Sequence, residues 1–239
     1  MATPELTVRR SGYASRLYEL GYAQSSPLYD VIVRYGLLPL GGHDRCRRRF
    51  AEWSELRPGQ QVASLCCGTG STERAMLERV PDLRIVGIDL GKGQLARARR
   101  RDPQGRIEYR RGDARASGLE SRRFDRVVVV LALHEMPRHE RRCVLAEAER
   151  LCADDGRVIA VEHNRPGRFG TRLLQALCWF YWLPGNPEAR TARDLQREGI
   201  AAEMRAVGLE PLRRHLTRPD WIEAVLARTA ASRPRGSDA

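Results

Sequence analysis

Of the 42 lysine and arginine residues in the chain, only Lys92 is a lysine. The basic charge is therefore an arginine preference spread through nearly every segment, and the net charge of +12 does not by itself mark a nucleic-acid surface. Such surfaces bind by releasing counterions from phosphates and come with recognition motifs. The sequence has no such motif, and clusters such as Arg45 with Arg47, Arg48 and Arg49 read as solvated helix faces. Long apolar runs are missing too. The longest, Leu173 to Leu183, is broken by Gln175, whereas a membrane-spanning helix takes about 20 apolar residues. No transmembrane helix is expected, and the opening MATPELTVRR lacks the apolar stretch of a secretory signal. The six cysteines show no paired spacing, which points to reduced, buried thiols in a cytoplasmic protein. No metal is expected, and there is no internal repeat.

What is present is an alternation of strands and helices. With 42% apolar residues among 239, the chain can bury one core of the α/β size class. The pattern predicts a doubly wound, mostly parallel seven-stranded sheet with helices on both faces. Cys46, Phe50 and Trp53 share one face of a helix ending near Leu56, before the Pro58-Gly59 turn. Strands are expected at Gln61–Cys66, Arg84–Asp89, Arg106–Arg110, Phe124–Leu133 and Arg157–Val161, with shorter ones at Glu210–Arg214 and Trp221–Leu226. The unbroken run Val127 to Leu133 belongs in a strand buried on both faces, at the centre of the sheet. Val144, Leu145, Ala148, Leu151 and Cys152 give the next helix its apolar stripe. Thr191 and Asp194 have capping-box spacing, with Asp in place of the usual Glu or Gln, for a helix that Gly208 ends. Residues 1–57 read as a helical N-terminal lid, 58–228 as the main domain with a helical insertion at 165–192, and 229–239 as a disordered tail.

The chemistry concentrates where the strands end. VASLCCGTGSTE, Val62 to Glu73, is a strand that breaks into a glycine turn and opens a helix. Gly68 and Gly70 allow backbone conformations closed to other residues and a close ligand approach. Asp89 ends the second strand, nineteen residues beyond Gly70, where a carboxylate can hold the two hydroxyls of a ribose. Asp113 follows the third strand, and His134-Glu135 the fourth. In such sheets ligands sit outside the carboxyl ends of the strands. An adenosine-containing cofactor is the reading these positions support. A nicotinamide dinucleotide is the competing one, but Gly68-x-Gly70-x-x-Glu73 lacks the third glycine of that fingerprint.

Over roughly residues 58–215 the chain resembles the class I S-adenosylmethionine-dependent methyltransferases. LRPGQQV leads into CCGTG, IVGIDL stands for the ribose strand, RRGDA for the adenine loop and FDRVVVVLALHEM for the fourth strand. Within that class it looks most like the ubiquinone and menaquinone biosynthesis C-methyltransferases. The shared features are Tyr29-Asp30 ahead of an apolar-basic helix, the CCGTG loop, and Glu162 after the fifth strand. The resemblance implies S-adenosyl-L-methionine as cofactor, with Cys66, Gly68, Thr69 and Gly70 against its methionine portion. It further implies Asp89 on the ribose, Leu90 on the adenine, Asp113 accepting from the adenine amino group, Ala114 as a backbone donor, and Val130 and Leu131 near the sulfonium. Two departures fall in the opening loop. Where the class has an acid and then a glycine, this chain has Ser64 and Cys66. The resemblance then implies a weaker or reshaped methionine pocket.

Methyl transfer needs alignment above all, plus a base for the acceptor. His134 is the candidate base, since histidine titrates near neutral pH, and its other reading is a packed or capping histidine. Glu162 is a second candidate, with a substrate-lining or structural role as the alternative. The acceptor expected is a small, apolar or aromatic molecule such as a quinone precursor or a secondary metabolite. The aromatic segment Leu173 to Leu183, with Arg168 and Arg172 beside it, and the tyrosines Tyr13, Tyr18, Tyr22 and Tyr29 are candidate covers for it. A peripheral contact with an anionic membrane is a further possible partnership, on the inner face, and no specific nucleic acid is expected. Two other functions stay open on the sequence: a protein that binds the cofactor without methylating, and a nicotinamide-dependent oxidoreductase.

Overall fold

The computed structural model describes residues 40–165, 167 and 187–230. The N-terminal tyrosines, the aromatic segment 173–183 and the tail beyond residue 230 lie outside the described residues. The elements run, in order, α1 (His43–Trp53), β1 (Gln61–Leu65), α2 (Ser71–Arg79), β2 (Arg84–Asp89), α3 (Lys92–Arg101), β3 (Ile107–Arg111), β4 (Phe124–Val130), α4 (Arg138–Leu151), β5 (Cys152–His163), α5 (Pro187–Glu198), α6 (Ile200–Arg205), β6 (Leu209–Leu216) and β7 (Ile222–Thr229). They build one seven-stranded sheet in the order β3-β2-β1-β4-β5-β7-β6. β1 to β5 pair in parallel, and β7 runs antiparallel to both of its neighbours.

Each face of the sheet carries its own core. One contains Phe50 of α1, Met76 and Leu77 of α2 and Leu95 of α3, with Ile85, Val128 and Ile159 from the sheet. The other contains Val144, Leu145 and Leu151 of α4, Leu195 of α5 and Met204 of α6, with Leu65, Val127 and Val129 from the sheet. Val127, Val128 and Val129 are fully buried, as a central strand covered on both faces requires. The chain winds outward from β1 to β3 and then crosses back to β4. The crevice between the ends of β1 and β4 is therefore the switch point where ligands bind in open α/β sheets.

The first three strands fall within a residue of their expected bounds, the other four differ by two or more at one end or both, and the differences have physical causes. β4 stops at Val130, short of the expected Leu133, because Leu131 turns to a φ of 53° and the chain leaves the ladder. Glu162 Oε1 draws it out by accepting the amides of Ala132 at 2.8 Å and Leu133 at 2.6 Å, and Leu133–Glu135 becomes a single 3-10 turn. β5 starts early, at Cys152, through one bridge to Phe124, and regular pairing begins at Arg157 as expected. The capping-box reading of Thr191 and Asp194 is corrected: α5 already begins at Pro187, so both lie inside it. Gly199, with a φ of 79°, then breaks the expected helix into α5 and α6, and Gly208, at 85°, closes α6 as expected. β7 reaches Thr229, which is buried, so the ordered chain runs past the expected start of the tail. Among the described cysteines all are free, and Cys143 is exposed on α4, contrary to the expectation that every thiol is buried.

Candidate functional site

The loop after β1 is shaped by three consecutive demands on its backbone. Cys67 N–H continues the ladder to Ile88 O at 3.0 Å, and Gly68 N–H then turns to Asp89 Oδ2 at 2.8 Å. Gly70 N–H returns to Cys67 O at 3.0 Å and starts α2. Gly70 has a φ of 70°, and a Cβ there would come within 2.1 Å of Tyr109 Oη, so no other residue fits. Gly68 is different: its φ of 56° favours glycine, but a Cβ would meet nothing within 4 Å, leaving the backbone open to a ligand. Cys66 sits in the left-handed region with a φ of 60°, at the position where the sequence comparison looks for glycine.

These turns line a cleft at the ends of β1, β2 and β4. The structure brings Cys66, Gly68, Thr69, Asp89, Val130 and Leu131 together along it, as expected from the sequence. Gly70, Leu90, Asp113 and Ala114 are not among its lining residues. Gly70 shapes the turn from behind. The loop after β3 is tied to the cleft by Gly112 N–H donating to Asp89 O at 3.1 Å and by Arg111 Nε donating to Leu90 O at 3.1 Å. Asp113 is held by Arg115, which reaches its carboxylate through Nη2 at 2.6 Å and through its own amide at 2.9 Å. Burial pushes the Asp113 carboxyl up, but the Arg115 side chain and amide overcome it and keep it below the usual carboxylate range.

Six lining residues escaped the sequence reading: Arg47, Ser71, Thr72, Glu73, Gln94 and Ala132. Glu73 is 1% exposed, receives a hydrogen bond from Ser64 Oγ at 2.5 Å on Oε1, and takes none from the protein on Oε2. Burial raises its pKa against the pull of Ser64, its own amide, Arg47 and Arg74. Asp89 is 3% exposed, and burial raises its pKa while the amides of Gly91 and Gly68, each at 2.8 Å, hold it down. Each of its oxygens keeps acceptor capacity after these single bonds.

The cleft is acidic although the chain is basic. Glu73, Asp89 and Glu135 line it against the one guanidinium of Arg47. Burial, then Asp89, Glu135, Asp113 and Glu162, push the Cys66 thiol well above its usual range, so this sulfur stays protonated and is no nucleophile. A cationic ligand is favoured in such a field, whereas a dinucleotide would set its anionic pyrophosphate against carboxylates. The donor and acceptor set fits S-adenosylmethionine: Asp89 can take ribose hydroxyls, and the carboxylates can face a sulfonium and an ammonium.

Behind the cleft wall lies a buried polar cluster. Glu162 is fully buried and accepts from Ala132 N–H, Leu133 N–H, His134 Nδ1 at 2.8 Å and His163 N–H at 3.3 Å. Its oxygens are committed to orienting this turn. Nδ1 of His134 is therefore the donor, and Nε2 lies 3.9 Å from Glu135 Oε1. His134 is 2% exposed and does not line the cleft, while its neighbour Glu135 does. The His163 ring packs on His134 with centroids 4.3 Å apart, and burial together with His134 drives its pKa well below the usual histidine value.

Comparison with known proteins places this geometry. A family model described as "Methyltransferase domain" matches residues 62–156. A 2-phytyl-1,4-naphtoquinone methyltransferase from Thermosynechococcus vestitus is 31% identical over 184 residues, 76% of each chain. A demethylmenaquinone methyltransferase from Thermus thermophilus is 30% identical over 153 residues, 62% of this chain and 68% of the relative. Among solved structures, magnesium protoporphyrin IX methyltransferase from Synechocystis PCC 6803 with bound SAH superposes with a TM-score of 0.63 at 16% identity, covering 90% of this chain and 98% of the other, a likeness of fold. Neither a nicotinamide enzyme nor a non-methylating binder is favoured by these relationships. Shared sequence across three quarters of an enzyme that transfers methyl groups, over a cleft whose charges suit a sulfonium, makes the chain a member of the S-adenosylmethionine-dependent methyltransferases, an enzyme with S-adenosylmethionine as its cofactor.

Proposed function

We propose that this enzyme methylates a small aromatic acceptor of the quinone type. The observation that carries the reading is the sequence relationship to two quinone methyltransferases, each spanned over two thirds or more of its length. The cofactor supplies a methyl group on a sulfonium, already a good leaving group, so what falls to the chain is binding, alignment and one proton. Asp89 takes the ribose hydroxyls and Leu90 packs on the adenine. Asp113, with Arg115 across it, faces the adenine amino group, and Ala114 N–H donates to the ring. Cys66, Gly68 and Thr69 hold the methionine portion, expected of Gly70 as well, which shapes the turn behind them. Val130 and Leu131, on the β4 side of the cleft, border the reacting carbon.

The proposed base is His134. Glu162 orients the ring by accepting from Nδ1, and the imidazole is the group we assign to take the proton of a phenolic hydroxyl or of the ring carbon it activates. Glu162 itself has no acceptor capacity left for substrate, and its proposed role is positioning. An apolar acceptor also suggests a lipid source. On the edge strand β6, Leu212 and Leu216 are exposed at 42% and 41%, next to the exposed Arg213, Arg214 and Arg218. This pairing of apolar and basic side chains supports peripheral contact with an anionic membrane. Among the described residues no helix is long and apolar enough to cross one.

One assay tests the reading: labelled methyl transfer to a demethylated naphthoquinone carried in vesicles. Label should enter the quinone, faster with anionic than with neutral lipid. His134→Gln should lower turnover about 10²- to 10⁴-fold while leaving cofactor affinity close to wild type. Label appearing in no quinone would overturn the acceptor, and full turnover by the variant would remove His134 as the base.

A further inference from the structure

The cofactor's α-ammonium needs an anionic partner, and the position where the sequence comparison looks for an acid holds Ser64. The structure places a carboxylate there by another route. Ser64 points from β1 at the first turn of α2, and its hydroxyl donates to Glu73 Oε1 at 2.5 Å. Glu73 reaches the same spot from the helix side. It is 1% exposed, lines the cleft beside Cys66, Cys67 and Arg47, and its Oε2 accepts no hydrogen bond from the protein.

We propose that Glu73 is the residue that receives the cofactor's α-ammonium, with Ser64 as the strut that orients it, so that the missing acid has moved from strand to helix. A buried carboxylate with one satisfied and one vacant oxygen is costly unless a cation meets it. The cofactor brings that cation. Arg47, which donates to Thr72 Oγ1 at 2.9 Å on the same rim, is one of the cationic groups that help keep Glu73 ionised before the ligand arrives. Ser64 alone offers a dipole where a full charge is wanted. The Ser64-Glu73 pair offers both the charge and a fixed direction, because the hydroxyl proton is spent on Oε1 and leaves Oε2 as the acceptor. The inference rests on the cleft being the S-adenosylmethionine site, and the test separates the two.

Calorimetric affinities are measured for S-adenosylhomocysteine and for deamino-S-adenosylhomocysteine, which keeps the carboxylate and lacks the ammonium. Wild type should prefer the amino form. Glu73→Gln, equal in volume, should weaken S-adenosylhomocysteine about tenfold or more and leave the deamino ligand unchanged, abolishing the preference. The swap Ser64→Asp with Glu73→Gln returns the carboxylate to the strand and should restore it. Should Glu73→Gln fail to fold, as judged by its unliganded melting curve, the swap decides: discrimination near wild type supports the proposal, and none overturns it. Equal loss for both ligands in a folded Glu73→Gln would make Glu73 a scaffold residue, and no loss for either would remove it from the site. If wild type binds neither nucleoside, the cofactor site itself lies elsewhere.

Discussion

Cys66 shows how much one residue can cost in a tight loop. A side chain in the left-handed region is strained by about 1 to 2 kcal/mol, and Cys66 occupies it at 60° between β1 and the glycine turn. The neighbouring hydrogen bonds from Cys67 and Gly68 lock the backbone there, so the strain cannot relax. Replacing Cys66 by glycine removes the strain and gives back roughly 0.5 to 1 kcal/mol in unfolded-chain entropy. Measured against Cys66→Ala, which lacks the sulfur as well, a net gain of about 1 kcal/mol remains, which for a chain of this size raises the midpoint by about 2 to 4 °C. Cys66→Ala keeps the strained φ and loses the sulfur contacts, so it should melt no higher than wild type. Thermal denaturation of the two variants side by side checks this, and a glycine variant that melts no higher than the alanine variant would show that the loop carries no strain at Cys66. The departure from glycine was legible in the sequence. So was the missing acid at Ser64, but the compensation of that lost acid by Glu73 was not, because a glutamate in the first turn of a helix ordinarily faces water and favours the helix dipole. Only the packing of α2 against the end of β1 turns it inward.

At the scale of elements, α4, α5 and α6 are joined by ions as well as by their apolar stripes. Glu203 of α6 is fully buried and is met by three arginines of α4: Arg138 Nε at 3.0 Å, Arg142 Nε at 2.7 Å and Arg141 Nε at 3.7 Å. Arg141, itself fully buried, also binds Asp194 and donates to Thr191 O at 3.2 Å, so α5 is tied into the same cluster. Removing one partner of a buried cluster leaves charge without compensation, at a typical cost of about 3 to 5 kcal/mol. Glu203→Ala should therefore destabilise the protein by about that much in urea unfolding, whereas Glu120→Ala, which breaks an exposed pair with Arg123, should change it by about 1 kcal/mol or less. Comparable small losses for both would show that the cluster is not a stabilising centre. The sequence disclosed the apolar stripe of α4 and the stop at Gly208. It did not disclose the break at Gly199, since a glycine inside a helical pattern is often tolerated. Nor could it disclose the early end of β4, because the force that ends it comes from Glu162, thirty residues further along and one strand over.

For the whole molecule, a mostly parallel sheet with a central β4 was legible in the alternation of strands and helices, and the place of the cleft in the residues that follow the strands, whereas the strand order comes from the structure. Its edges are guarded by chemistry also visible in the sequence. Glu108 and Arg110 put charge on β3, and Pro211 with a register shift interrupts β6. What the sequence hid is the sign of the field inside. A chain with a net charge of +12 concentrates three carboxylates around its cleft, so global charge and local charge oppose each other. That opposition sets ligand choice. A nucleoside carrying an ammonium is drawn in, and a dinucleotide with two phosphates is attracted to the molecule but repelled by the site. Binding to the folded state alone stabilises it by RT ln(1 + [L]/Kd), about 2.7 kcal/mol at a hundredfold excess over Kd. At about 2 to 4 °C per kcal/mol, saturating S-adenosylhomocysteine should raise the melting midpoint by roughly 5 to 10 °C, with the shift growing as the logarithm of ligand concentration. NAD at the same concentrations should leave the midpoint within about 2 °C, because binding weak enough to keep [L]/Kd below unity adds under about 0.5 kcal/mol. A midpoint raised by NAD as far as by S-adenosylhomocysteine would mean that the carboxylates of the cleft do not select the charge of the ligand.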